Sequence, residues 1–442
     1  MREALGFDAR ELTPGVIRKI TVLGAETRSF KRAAIALQEA DVNVSAKTVE
    51  RVMHDVGEEL AERRDIPPGR DGTLAQSPGN VPDLAVVECD GGRIRCRQPD
   101  RGPGVHFEGK GWRETKNACL VRGERKTFDE DPQPDPPACF LDPKHVAQIA
   151  ETEALSVASL SPQETQSDSA EDERPSPEPR NKGYPKRLVR TVLASMACSK
   201  DFGTQMKREA KQRRFFEANA KAFLGDGLPW NWSIWKKHFP GFVPILDFIH
   251  VLSYLFVAAK AVHDSPQDGW DQYQVWMCGC WRGEVDQVLE ELAGWQMRLG
   301  EPPADAEQND HREILRTTIR YLTNNQGRMN YAQYRQAGLP VTTAWMESLV
   351  KEMNYRIKGT EMFWNDPAGA EAILQIRAAA LCDDERLITH LQTRLGSPFV
   401  RKRNHHKLRK EKIISPTSTV VDVSAWGARV GFGKFSLHFE RL

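Results

Sequence analysis

Two short apolar runs in this chain each stop on an aspartate: Leu84-Ala85-Val86-Val87-Glu88-Cys89-Asp90 and Ala220-Lys221-Ala222-Phe223-Leu224-Gly225-Asp226. Runs of this length, followed by glycine, read as buried strands that carry a carboxylate to the sheet edge. Far downstream, Glu347 lies in Trp345-Met346-Glu347-Ser348-Leu349-Val350-Lys351-Glu352-Met353-Asn354, and the charged Arg356-Ile357-Lys358-Gly359-Thr360-Glu361 follows. Two strand-end aspartates and a later glutamate form the carboxylate set of a two-metal phosphoryl-transfer site.

The order of elements between them narrows the fold. After Asp90, Gly91-Gly92 and the alternating Arg93-Ile94-Arg95-Cys96-Arg97 predict a tight turn and a second strand, and residues 116–121 a third. Residues 188–216 predict a long amphipathic helix or a pair of helices. A fourth strand closes on Asp226, Gly227-Leu228-Pro229 opens a helix through Trp230, Trp232 and Trp235, and a strand over 242–246 reaches Asp247-Phe248-Ile249-His250. Three early strands, a helix, a buried strand ending in Asp and a late helix bearing Glu give the order of an α/β, RNase H-like mixed sheet flanked by helices. Between His250 and Leu339 strand signals are almost absent, and Trp, Leu and Ile recur at helical spacing from 270 to 322, which predicts an all-helical insertion. Its tryptophans read as core packing before a base-stacking platform.

Upstream, residues 30–40 carry apolar residues at helical spacing, Asp41-Val42-Asn43-Val44 breaks the pattern, and Ser45 can cap a second helix through Val49, Val52, Met53 and Val56. This fits a helix-turn-helix presenting Ala46, Lys47, Glu50 and Arg51 to a groove, and equally an ordinary helical hairpin. The expected organisation is a helical DNA-binding region over 1–78, a first part of the core over 79–252, the insertion over 253–340, the rest of the core over 341–398 and a basic tail over 399–442.

A length of 442 residues with 40% hydrophobic content allows about three domain-sized units with real cores. The net charge of +1 hides a segregation. Acidic residues and prolines collect over 128–180, which reads as a linker or long loop. Basic residues collect over 182–190, over 207–214 and in the tail with Arg401 and Arg403; a single run is usually a solvated face, and three in one chain suit phosphate contact and solvation equally. No leader is read at Met1, and the apolar window 251–259 is about half a membrane span. Eight cysteines without a Cys-x-x-Cys pair suggest reduced thiols in a cytoplasmic protein.

With these residues in place, the chain resembles bacterial insertion-sequence DDE transposases of Mutator-like organisation, from Leu12 to about Arg401. The resemblance is carried by Glu88-Cys89-Asp90-Gly91-Gly92-Arg93, Trp112-Arg113-Glu114-Thr115-Lys116, Asp131-Pro132-Gln133-Pro134 and Gly225-Asp226-Gly227-Leu228-Pro229-Trp230-Asn231-Trp232. Most specific are Ile245-Leu246-Asp247-Phe248-Ile249-His250-Val251, Gly338-Leu339-Pro340-Val341-Thr342-Thr343 and the run 347–364. It implies an RNase H-like catalytic core, an N-terminal DNA-binding region and a helical insertion. Both Asp226 and Asp247 end apolar runs. In such enzymes the second catalytic carboxylate precedes a glycine and an Asp/Cys-x-x-His signature follows, which favours Asp226 and leaves Asp247 and His250 as supporting or alternative residues. Thr343 stands where serine is common. The recognisable motif over 12–30 begins close to Met1, which leaves open the upstream zinc-binding or end-recognition segment of some relatives.

Carboxylates are the hard oxygen ligands Mg²⁺ prefers, and two ions about 3.5–4 Å apart stabilise attacking and leaving oxygens. Asp90 would bridge both ions, Asp226 would complete one and Glu347 the other, with Mn²⁺ as a substitute. Lys351, one turn after Glu347, is placed either to contact a phosphate or to form a surface ion pair. The expected partner is double-stranded DNA, as element ends and target, bound by a homodimer or higher assembly. An RNase H-like structure-selective nuclease would share the carboxylates, and a domesticated DNA-binding regulator would keep only the fold.

Overall fold

Leu84, Val86 and Glu88 alternate with Ala85, Val87 and Cys89 along one strand, and all six are buried. Alternate residues of a strand face opposite sides, so this strand must be covered on both. In the computed structural model, which describes residues 12–65, 80–97, 111–158, 183–358 and 362–394, it is the central strand of a five-stranded sheet. The strands are β1 (Leu84–Arg95), β2 (Trp112–Glu124), β3 (Lys186–Ser195), β4 (Ala220–Gly225) and β5 (Val243–Leu246), in the order β3-β2-β1-β4-β5. β2 is antiparallel to β1 and β3, while β1, β4 and β5 run parallel. Sheet order and direction are RNase H-like.

Around it lie α1 (Pro14–Glu26), α2 (Phe30–Glu39), α3 (Ala46–Asp65), α4 (Pro143–Ala158), α5 (Ser199–Gln212) and α6 (Pro229–His238). Then come α7 (Phe248–Val262), α8 (Pro266–Arg282), α9 (Val285–Leu299), α10 (His311–Asn325), α11 (Tyr331–Gln336), α12 (Ala344–Ile357), α13 (Pro367–Ala380) and α14 (Arg386–Thr393). One face of the sheet, through Ala85, Val87, Leu120 and Phe223, packs on Phe202, Met206, Ile234 and Phe239 of α5, α6 and the following turn. The other, through Val86, Val121, Val192 and Leu224, packs under α7, α12 and α13 with Val251, Leu349 and Ile373. Trp276 and Trp281 are buried in the latter core, so these two tryptophans of the helical stretch are packing residues.

Three local expectations are corrected. Gly91-Gly92 is no turn: β1 continues through both, paired with Lys116 and Thr115, and a Cβ at Gly92 would lie 2.7 Å from the Thr115 hydroxyl. Glycine lets the cross-strand side chains close in there. Residues 188–195 belong to strand β3 rather than a helix, because the β-branched Val189, Thr191 and Val192 fill an edge strand and the helix begins only at Ser199. Within the acidic, proline-rich stretch, residues 128–158 are folded. Phe140 and Val146 are buried, α4 packs on the core, and Asp131 forms an ion pair with the buried Arg335 at 2.5 Å. Enough apolar side chains occur over 138–150 to hold this part down; residues 159–180 lie outside the described ones.

At the N-terminal end, Ser45 caps α3 by accepting from Thr48 N, and Asp41 turns the chain with φ +59°. Helix, turn and helix are therefore present. The apolar side of α3 packs against α13 so closely that a Cβ on Gly57 would lie 2.2 Å from the Ala372 carbonyl oxygen. Lys47 and Arg51 stay exposed on the opposite side, Lys47 paired with Glu50 at 2.7 Å. All eight cysteines are free thiols, and no described helix is long and apolar enough to cross a membrane.

Candidate active site

The β1–β4 register pairs Cys89 with Gly225, so the next residues, Asp90 within β1 and Asp226 just past the carboxyl end of β4, are neighbours where the parallel pairing of the two central strands stops. Adjacent strands lie about 4.8 Å apart. Both aspartates are partly solvent-accessible, and both act on the buried Cys89 thiol, which burial and then Asp226, Asp90 and Glu88 push well above its ordinary value. Negative charge is thus concentrated at this point of the sheet.

Asp226 is held by its surroundings. Its Oδ1 accepts from Leu228 N at 2.8 Å and from Asn231 Nδ2, and its carbonyl accepts from the Tyr321 hydroxyl at 2.8 Å. Asn231 is fully buried, and its Oδ1 in turn accepts from the Cys89 thiol at 3.3 Å. Gly227 adopts φ +96°, and a Cβ there would meet the Tyr321 ring at 2.6 Å. Glycine is required after Asp226 both by conformation and by space. Tyr321 stacks on Tyr254, ring centroids 3.8 Å apart, so the region between β5 and α12 buttresses the turn that carries the aspartate.

Glu347 lies exposed in the first turn of α12, where a carboxylate also favours the helix dipole. Three anchors fix this helix. Before it, Thr343 donates to Asp247 from its backbone N and its hydroxyl, and Glu347 N bonds the Thr343 carbonyl at 2.9 Å. At its middle, Glu352 accepts a two-pronged pair from Arg190 of β3, at 2.9 and 3.0 Å. Near its end, the buried Arg356 donates to the Gly24 carbonyl at 2.9 Å and stacks on Phe30. Lys351 is exposed on α12, one turn after Glu347.

Asp247 occupies a different position from the other carboxylates. It is 0% exposed, caps α7 through Ile249 N and takes His250 Nδ1 at 2.8 Å besides the two Thr343 bonds. Its oxygens are spent inside the protein, which suits a positioning residue linking β5 to α12. His250 is half-buried and completes that link.

Sequence reasoning passed over Glu88. It is two residues before Asp90 on the same strand face, fully buried, and neither carboxyl oxygen has a side-chain partner. Burial, then Asp247 and Glu347, push its carboxyl well above the usual range, behind the accessible carboxylates. The period-two alternation with Asp90 was the signal. Asn231 lies only five residues after Asp226, on the first turn of α6, and what the β1–β4 pairing adds is its contact with Cys89.

Oxygen donors at Asp90, Asp226 and Glu347 match a hard divalent cation in kind. Among the described residues, however, no three His, Cys, Asp or Glu side chains already converge as a metal cage. The structure pairs Asp90 with Asp226 and sets Glu347 near Glu88, on the sheet face under α12. Arg401 and Arg403 lie outside the described residues.

No family model and no curated protein matches this chain. Among solved structures it is similar to a Drosophila P element transposase strand transfer complex, with a TM-score of 0.31 and 9% identity over 84% of this chain and 92% of that one. So distant a likeness adds nothing to the register and hydrogen bonds above.

Proposed function

We propose that the chain is a DDE transposase of an insertion sequence, one that binds terminal inverted repeats, nicks the DNA and joins the ends to target DNA. The observation that supports this most is the β1–β4 register, which makes Asp90 and Asp226 neighbours at the sheet centre while Asp247 is consumed in packing. Asp90, Asp226 and Glu347 would hold two Mg²⁺ ions, or Mn²⁺, which when bound neutralise charge on the attacking and leaving oxygens.

The protein's own part is positioning. Asn231 and Tyr321 orient the Asp226 turn, and the Asp247–Thr343 latch with Arg190–Glu352 sets α12. Lys351 is exposed on α12 to meet a phosphate, Lys47 and Arg51 are exposed on α3 to meet element-end DNA, and the 401–410 run would add further phosphate contacts. A homodimer or larger assembly would hold both ends.

Asp90→Asn and Glu347→Gln in the full chain test this. Each is expected to bind an element-end duplex as the parent does and to give no nicked or joined product with Mg²⁺. Metal-dependent nicking retained by either variant overturns the carboxylate assignment. Cleavage by the parent without joined products would identify a nuclease.

A further inference from the structure

Glu88, Asp90 and Gly92 alternate on one face of β1, and across the β1–β2 pairing Asp90 stands opposite Asn117 and Gly92 opposite Thr115. Side chains directly opposite in such a pair start about 4.5–5.5 Å apart, and residues two apart along a strand about 7 Å apart. Glu88, Asp90 and Asn117 therefore share one small patch of the sheet, on the face that packs under α12.

This patch is rich in oxygen and poor in donors. Asn117 is 3% exposed and Glu88 0%, and three of their atoms, Asn117 Oδ1 and both carboxyl oxygens of Glu88, have no hydrogen-bond partner. Buried polar atoms are nearly always paired, so three orphan acceptors in one patch call for a donor or a cation. The Met346 amide of α12 approaches Glu88 outside hydrogen-bond geometry, and the charged groups that act on Glu88, Asp247 and Glu347, are themselves acidic. A Cβ on Gly92 would lie 3.1 Å from Asn117 Nδ2 and 2.7 Å from the Thr115 hydroxyl. The amide nitrogen thus faces the gap over Gly92, and the orphan oxygen turns away from it. A carboxamide oxygen and carboxylates are the hard donors that a divalent cation takes, at about 2.0–2.6 Å.

We infer that Asn117 and Glu88 are direct oxygen ligands of a divalent cation held with Asp90, so that the β1–β2 pair forms one wall of the metal site. The inference rests on the reading of Asp90 as a metal ligand made above.

The full chain without DNA tests it, with Mn²⁺ alone as the probe. Affinity is read from the free-ion signal in electron paramagnetic resonance, and melting temperature is taken with and without the ion. Asn117→Leu removes the amide and is expected to weaken Mn²⁺ binding by at least about tenfold. The same change deletes an unpaired acceptor from the interior, so its metal-free melting temperature is expected to hold or rise, which the loss of a purely structural amide would not give. Asn117→Asp offers an anionic oxygen at the same place and is expected to bind Mn²⁺ at least as tightly as the parent while melting lower without it. Glu88→Gln, which loses the charge, is expected to weaken binding by a factor similar to that of Asn117→Leu. Parent-like binding by Asn117→Leu or by Glu88→Gln overturns the inference, and if Asp90→Asn abolishes binding beside it, the three-carboxylate proposal stands. A parent chain that binds no Mn²⁺ also overturns it, and nicking by that chain with Mg²⁺ would keep the catalytic assignment. Should Asn117→Leu melt early, Asn117→Asp decides: binding as tight as the parent's supports the ligand role, and weaker binding overturns it.

Discussion

The carboxylate of Asp247 accepts two hydrogen bonds from Thr343, the backbone N at 2.9 Å and the hydroxyl at 2.7 Å, across 96 residues of chain. Because Thr343 immediately precedes α12, this latch fixes the start of the helix on which Glu347 rides. Thr343→Ser keeps both donors and is expected to cost about 1 kcal/mol for the lost methyl. Thr343→Val leaves a buried carboxylate short of a donor and is expected to cost about 1–3 kcal/mol and to lower nicking further than stability explains. Urea unfolding and a nicking assay on both variants check it; equal behaviour of the two would remove the latch.

Asp226 and Asp247 are expected to fail differently. Asp226→Asn should bind DNA, melt normally and nick at no Mg²⁺ or Mn²⁺ concentration. Asp247→Asn keeps one acceptor oxygen for Thr343 N, so residual activity partly restored by Mn²⁺ is expected at matched thermal stability. A fully folded, inert Asp247→Asn beside an active Asp226→Asn would exchange their roles.

Asn231→Ala removes the donor to Asp226 and the acceptor for the Cys89 thiol. Loss of such an orienting partner typically costs 10–100-fold in activity, and that fall is expected with DNA affinity unchanged. Turnover and duplex affinity measured side by side decide whether the residue orients the aspartate.

Glu88 makes stability depend on pH in a set direction. Its folded-state pKa is raised by burial and by Asp247 and Glu347, so the folded state binds the proton more tightly than the unfolded chain. The associated stability is complete below the unfolded value and is lost as pH rises through the folded one. Glu88→Gln, which cannot ionise, should therefore gain on the parent as pH climbs from about 5 to 8, by at most about 1.4 kcal/mol per pH unit for one proton. Parallel melting curves over that range check the sign, and a constant difference would show that folding does not raise the pKa of Glu88.

Gly57 tests how firmly the N-terminal helices belong to the core. A methyl group there would lie 2.2 Å from the Ala372 carbonyl oxygen, so Gly57→Ala must push α3 off α13. A loss of about 1–3 kcal/mol is expected, read by urea unfolding of the full chain. The same packing predicts that a fragment ending at residue 78 is less stable than the region is within the full chain.

Local chemistry made much of this protein legible before any tertiary contact was known. Apolar runs ending at Asp90 and Asp226 can be read because a buried central strand needs a continuous apolar stretch, and Ser45 because a helix start needs an acceptor. β3 was misread as helix because its apolar residues suit either period until an edge strand is there to pair with them. Only the tertiary structure shows how differently Asp226 and Asp247 are placed: one keeps an accessible carboxylate beside Asp90, while the other spends its oxygens on Thr343, Ile249 and His250. The same holds for the burial of Glu88 and for the contact between Cys89 and Asn231. Which side chain meets which across hundreds of residues depends on register and burial, and no local spacing encodes either.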